Sequence, residues 1–166
     1  MPARAFRLRP ARSGDFGWII SRHGALYARE QGWDERFEAD VCRIVLQFLD
    51  SRAKRKRCWI AEARGKPVGS VYVVERTPSL AQLRVLFVEP DARGMGIGRA
   101  LVARAVAFAR KAGFRRLMLV TYAHLLPAGN TYRGAGFRIV RQAPERSYGK
   151  RLLSQRWELD LRAPAR

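Results

Sequence analysis

Residues 83–121, LRVLFVEPDARGMGIGRALVARAVAFARKAGFRRLMLVT, constrain this chain more than any other stretch. Val85, Leu86, Phe87 and Val88 form an apolar run of β-branched and aromatic side chains, which predicts a buried strand. Pro90 ends it, because proline has no N–H to give to a ladder. Arg93-Gly94-Met95-Gly96-Ile97-Gly98 then makes a glycine-dense turn, and alanine-rich Arg99–Ala112 predicts a helix with one apolar face. Gly113 stops the helix, and residues 115–121 read as a second buried strand. A helix that starts from such a turn presents unpaired backbone N–H groups pointing one way, which is an anion site. Glycine there permits positive φ and a close approach of phosphate to the backbone.

For an isolated glycine cluster, turn geometry alone is the plainer reading. Here the spacing Arg-x-x-Gly-x-Gly, after strand-Pro-x-x and before an alanine-rich helix, resembles the acetyl-CoA pyrophosphate loop of GNAT acyltransferases. No Gly-Lys-Ser/Thr follows, so a nucleotide-triphosphatase loop is excluded. A dinucleotide fold calls for an acidic residue closing the second strand, and this strand ends in Thr121-Tyr122.

The rest of the chain falls into elements of ordinary length. Phe6–Arg9 predicts a first strand stopped by Pro10. Ser13-Gly14-Asp15 predicts a helix cap, with Phe16, Trp18, Ile19, Ile20, His23, Leu26 and Tyr27 following at helical spacing until Gly32. A second helix begins near Asp34, with Phe37, Val41, Ile44, Val45, Phe48 and Leu49 on one face. Cys58–Ala63 and Val68–Glu75 predict a hairpin, and Ala81–Val88 the next strand. Residues 128–135 predict a short helix. Phe137–Val140 and Ser154–Leu161 predict two last strands joined by an irregular polar link, and residues 163–166 a frayed tail.

This order resembles the GNAT architecture over nearly the whole chain. It implies an α/β (α+β) acyl-CoA N-acyltransferase fold: one domain, 1–166, with a mixed central sheet of six to seven strands and flanking helices. Residues 22–39 and 57–62 resemble the acetyltransferase part of bacterial MarR–GNAT fusion proteins. No winged-helix domain precedes them, so the expectation is an enzyme domain on its own, without the fusions' DNA-binding role.

The resemblance implies an acetyl-CoA-dependent N-acetyltransferase acting on a primary amine by direct transfer. In the family, a β-bulge splays the strand ending at Val88 from its neighbour. Backbone groups near Leu86, Phe87 and Val88 then bind the pantetheine arm. Arg93, Gly94, Met95, Gly96, Ile97, Gly98 and Arg99 hold the pyrophosphate. Ala128-x-x-x-Tyr132-x-x-x-Gly136-Phe137 matches the family pattern in which a tyrosine reaches the coenzyme sulfur, making Tyr132 the catalytic candidate. A phenol of pKa about 10 keeps its proton until a thiolate departs. Leu125 stands where many relatives have a coenzyme-contacting asparagine, and Gln82 where some have a glutamate base. His23, Glu30, Glu62 and Glu75 remain as bases to weigh, with none assigned. Trp18, Tyr27, Trp33, Tyr72 and Tyr148 are candidates for an acceptor pocket.

Charge is lopsided, with 33 Lys+Arg against 14 Asp+Glu. The cations are dispersed apart from residues 52–57 and 138–156, so a solvated arginine-rich surface is the plainer reading than a nucleic-acid interface. An acidic or phosphorylated partner is equally compatible. Two cysteines, Cys42 and Cys58, make no disulfide framework, and the two histidines lie outside any ligand spacing, so no metal is expected. No signal-like or membrane-spanning run is present, which predicts a cytoplasmic protein, with a homodimer open from the family likeness. Two other functions stay open: a catalytically silent acetyl-CoA-binding module, motivated by Gln82, and nucleic-acid- or ribosome-associated acetylation, motivated by the charge.

Overall fold

The computed structural model describes residues 6–162, so the tail expected at 163–166 lies outside the described residues. The elements run β1 (Arg7–Pro10), α1 (Asp15–Gln31), α2 (Glu35–Asp50), β2 (Arg57–Ala63), β3 (Lys66–Thr77), β4 (Leu80–Val88), α3 (Ile97–Lys111), β5 (Arg116–Tyr122), α4 (Leu126–Gly134), β6 (Arg138–Ser147) and β7 (Lys150–Asp160). They build one seven-stranded mixed sheet in the order β1-β2-β3-β4-β5-β7-β6, parallel only where β4 meets β5. This is the GNAT fold.

Strand β2 shows why its sequence is continuously apolar. Cys58 and Ile60 face α1 and α2, packing with Ile19, Val41, Val45 and Phe48. Trp59 and Ala61 face the other way, into the core built with Leu101, Val102 and Ala105 of α3. With both faces covered, period-two alternation disappears from the sequence.

Helix α2 is capped as expected, Asp34 accepting from the Arg36 amide. Helix α1 differs: Gly14 at its N-cap gives no side-chain cap. Asp15, one residue inside, accepts instead from the Arg12 amide at 2.7 Å and from Arg9.

The expected irregular link between the last two strands is wrong. Residues 138–147 and 150–160 pair as one long antiparallel hairpin, turned by Tyr148 (φ +55°) and Gly149 (φ +78°). Much of β6 faces solvent, so backbone pairing alone orders it and no apolar alternation marks it.

Candidate active site

The glycine loop takes the shape its composition demands. Gly94 (φ +78°) and Gly96 (φ +79°) occupy the left-handed region, and Gly96 is the N-cap of α3 without any side-chain cap. Arg93 closes a turn onto Pro90, and the first helical bond runs from the Ala100 amide to the Gly96 carbonyl. Between them, the amides of residues 94–99 have no acceptor among the described residues. A row of unpaired donors at a helix start, with the helix dipole behind it, suits a diphosphate.

Strands β4 and β5 supply the second half of the site. They pair only at Leu80↔Arg116, Ala81↔Leu117 and Gln82↔Met118, then part. Beyond that point β4 keeps β3 on one side and exposes its other edge. A bulge lies just past the parting, where Val85 and Leu86 sit opposite Val71 alone. Val85 adopts φ +51°, a costly conformation for a β-branched residue, and Ser70 pins its carbonyl with a 2.7 Å hydrogen bond. Gly69 is required beside it, since a Cβ there would stand 2.9 Å from the Phe87 carbonyl oxygen.

Loop, free edge and helix α4 enclose a cavity of about 480 Å³. Leu86, Phe87 and Val88 line it, as do Arg93, Gly94, Gly96, Ile97, Gly98 and Arg99. Met95 does not; it points to solvent. The opposite wall comes from Tyr27 and Glu30 of α1 and from Leu125 and Thr131 at α4.

The acetyltransferase (GNAT) family pattern matches residues 20–137. The chain belongs to the GNAT family. A mycothiol acetyltransferase of Cellulomonas flavigena is 36% identical over 117 residues, which is 60% of this chain and 33% of that protein. N-acetyltransferase family 8 member 3 of Rattus norvegicus is 40% identical over 127 residues, 73% of this chain and 53% of that protein. This GNAT chain thus spans about a third to a half of the length of these relatives. In fold it is similar to a putative acetyltransferase of Salmonella typhimurium with its cofactor acetyl-CoA, at TM-score 0.78 and 18% identity, covering 95% of this chain and 94% of that one. A spermidine N-acetyltransferase of Vibrio cholerae, in complex with CoA and spermine, aligns at TM-score 0.72 and 16% identity over 96% of this chain and 98% of that one.

Tyr132, singled out by the GNAT pattern, is 5% exposed and packs against Phe137 and Trp157. It stands one residue beyond Thr131 of the cavity wall, and its hydroxyl has no hydrogen-bond partner among the described residues. Burial, with nearby Tyr27 second, raises its pKa well above the ordinary phenol value. Tyr27 itself lines the cavity, with its pKa pushed up to about 12, first by burial and then by Glu30.

The bases weighed from sequence separate clearly. Glu62 is buried and bound by Arg9 at 2.8 Å and Arg7 at 2.5 Å, in a network that also holds Asp15. Glu75 is held by Arg55 at 2.7 Å. Both are structural. His23 is buried, its Nδ1 2.8 Å from the Ile19 carbonyl, and burial drives its pKa down to about 4, so it is neutral at pH 7. Glu30 meets Arg93 at 3.0 Å across the cavity.

Of the aromatic candidates, Tyr27 reaches the cavity. Tyr72 is core, its hydroxyl bonded to the Ile44 carbonyl, and Trp18 packs edge-on against Phe87. Trp33 is buried between Tyr27, Phe37, Tyr122 and Tyr148. Sequence reading missed Glu145, which accepts from Tyr122 and Ser147, both at 2.8 Å, at the open end of β5. It lies in the stretch taken for an irregular link; the Tyr148-Gly149 pair was the turn signal available.

Proposed function

We propose that this chain moves the acetyl group of acetyl-CoA to a primary amine by direct transfer, as a cytoplasmic enzyme. The observation that carries it is the run of unpaired amides at residues 94–99 opening onto the same cavity as the unpaired edge of β4. A diphosphate fits the first, and an amide-bearing arm fits the second as an added strand. Acetyl-CoA supplies the acetyl group as a thioester: the C–S bond breaks as a C–N bond forms, sulfur takes one proton and the amine gives one up.

The chain's own residues then have distinct tasks. Amides of Gly94–Arg99 hold the pyrophosphate, with Arg99 adding charge at the mouth. Backbone groups of Leu86, Phe87 and Val88 orient the arm. The apolar walls Leu26, Leu86 and Ile97 exclude water. Tyr132, kept protonated by burial, donates its hydroxyl hydrogen where negative charge develops on sulfur. The likeness of residues 22–39 and 57–62 supports a place beside the acetyltransferase part of MarR–GNAT fusions.

Titration calorimetry with acetyl-CoA tests the first half, and thiol release in the presence of amines the second. Binding at tens of micromolar or tighter is expected; no binding at that level removes the reading.

A further inference from the structure

Arg84 stands on β4 two residues past its last pairing with β5 and directly before the bulge at Val85. It faces the side of the sheet that carries α1 and α2, with Tyr72 as its Cα partner on β3. Its guanidinium is partly buried and, among the described residues, finds no carboxylate, carbonyl or hydroxyl. Arg9, Arg22 and Arg55 differ in this respect, since each is satisfied by a carboxylate. Burial pushes the Arg84 pKa down from its ordinary value, and Arg76 pushes the same way. Tyr72 opposes this more than Arg76 adds to it, and Tyr148 and Asp40 oppose it less. Asp40 is already engaged by the Tyr148 hydroxyl and by Arg43.

The same row of the sheet continues across the parting. Met118 pairs with Gln82, so Val120 takes the next place on that face, and it is 52% exposed where no helix covers it. Its partner on β7 is Arg156, whose Nη2 binds Glu158 while its Nε is buried without a partner among the described residues. Arg84, Val120 and Arg156 therefore share one row of that face beside the parted strands. An acceptor that approaches the free edge of β4 from this side meets that row.

We infer that Arg84 binds a carboxylate on the acceptor, so that the substrate class is a zwitterionic amine of the amino-acid type. The inference rests on the transferase reading above. A planar guanidinium matches a carboxylate in geometry, and a partly buried guanidinium that gains an anion recovers part of its desolvation cost.

The test is a panel of free α-amino acids, each beside its own carboxamide, with spermidine and an O-phosphorylated amino alcohol added. Thiol release is followed on wild type and on Arg84→Gln, after acetyl-CoA binding is verified by calorimetry. The acids should exceed their amides in kcat/KM by about tenfold to a hundredfold, the span of one charge-assisted contact. Arg84→Gln should bring that ratio close to one. Amides, spermidine or the phosphate ester turned over as well as the acids would overturn the inference and leave the transferase reading standing. So would no turnover of any member by protein that binds acetyl-CoA. Failure to bind acetyl-CoA removes the transferase reading instead. If Arg84→Gln does not fold, the wild-type acid-to-amide ratio decides by itself.

Discussion

Arg93 Nη2 lies 3.0 Å from Glu30 Oε2, joining the glycine loop to α1 across the cavity. The arginine expected to meet the coenzyme's phosphates is therefore held by a carboxylate in this state, and on the proposed reading the positioning falls to the backbone amides. Both side chains are substantially exposed, so the pair is worth about 0–1 kcal/mol. Glu30→Gln should leave the unfolding midpoint nearly unchanged and free Arg93 for phosphate. Acetyl-CoA affinity should rise about twofold to fivefold at low salt, the gain fading as ionic strength increases. Calorimetry over a salt series checks this; weaker binding would show that the pair holds the loop in its binding shape.

Gly96 and Gly98 look equivalent in sequence and differ in conformation. Gly96 sits at φ +79°, where alanine costs about 1–2 kcal/mol, and its amide belongs to the unpaired row. Gly98 lies within α3, and a Cβ on it would meet Val88 Cγ2 at 3.8 Å, an ordinary contact. Gly96→Ala should lose both stability and acetyl-CoA binding. Gly98→Ala should gain about 0.5–1 kcal/mol and retain binding. Thermal unfolding with and without acetyl-CoA measures both; equal losses would contradict the assignment.

Tyr132→Phe removes a hydroxyl that has no hydrogen-bond partner among the described residues. Stability should stay within about 0.5 kcal/mol of wild type, because no internal bond is broken. Turnover should fall about a hundredfold or more if the hydroxyl serves as proton donor. Steady-state kinetics beside denaturant unfolding separates the two effects, and unchanged turnover would move the role to Tyr27.

His23 gives the fold a pH dependence of known sign. Its pKa is about 4 in the folded chain against about 6.5 unfolded, because burial disfavours the charged ring. Below the unfolded value the unfolded chain binds a proton that the folded chain refuses, so stability falls as pH drops toward 4. The contribution is about 2 kcal/mol between roughly pH 7.5 and pH 5. His23→Phe, placed among Tyr27, Phe37 and Phe87, should flatten that part of the profile. Chemical denaturation at the two pH values checks it, and an unchanged slope would assign the loss to other groups.

Legibility in the sequence followed covering and backbone chemistry. Wherever both faces of a strand are buried, as at Trp59 and Ile60 or Leu117 and Met118, composition alone marked the element. The strand beginning at Phe137–Val140 was legible, but its continuation over 141–147 escaped notice because its side chains are largely solvent-facing. Glu62 is one of four unassigned bases in sequence, and it is claimed in the fold by Arg7 and Arg9, more than fifty residues away along the chain.

By itself the sequence determined the strand–loop–helix–strand unit and its glycine loop, because φ preference, apolar periodicity and proline are local properties. Only the tertiary structure decided where β4 and β5 part, that Val85 bears the bulge and that Arg84 has no carboxylate partner among the described residues. Those outcomes depend on which distant residues arrive beside them, and pairing and desolvation across the sheet leave no mark on a single chain read in order.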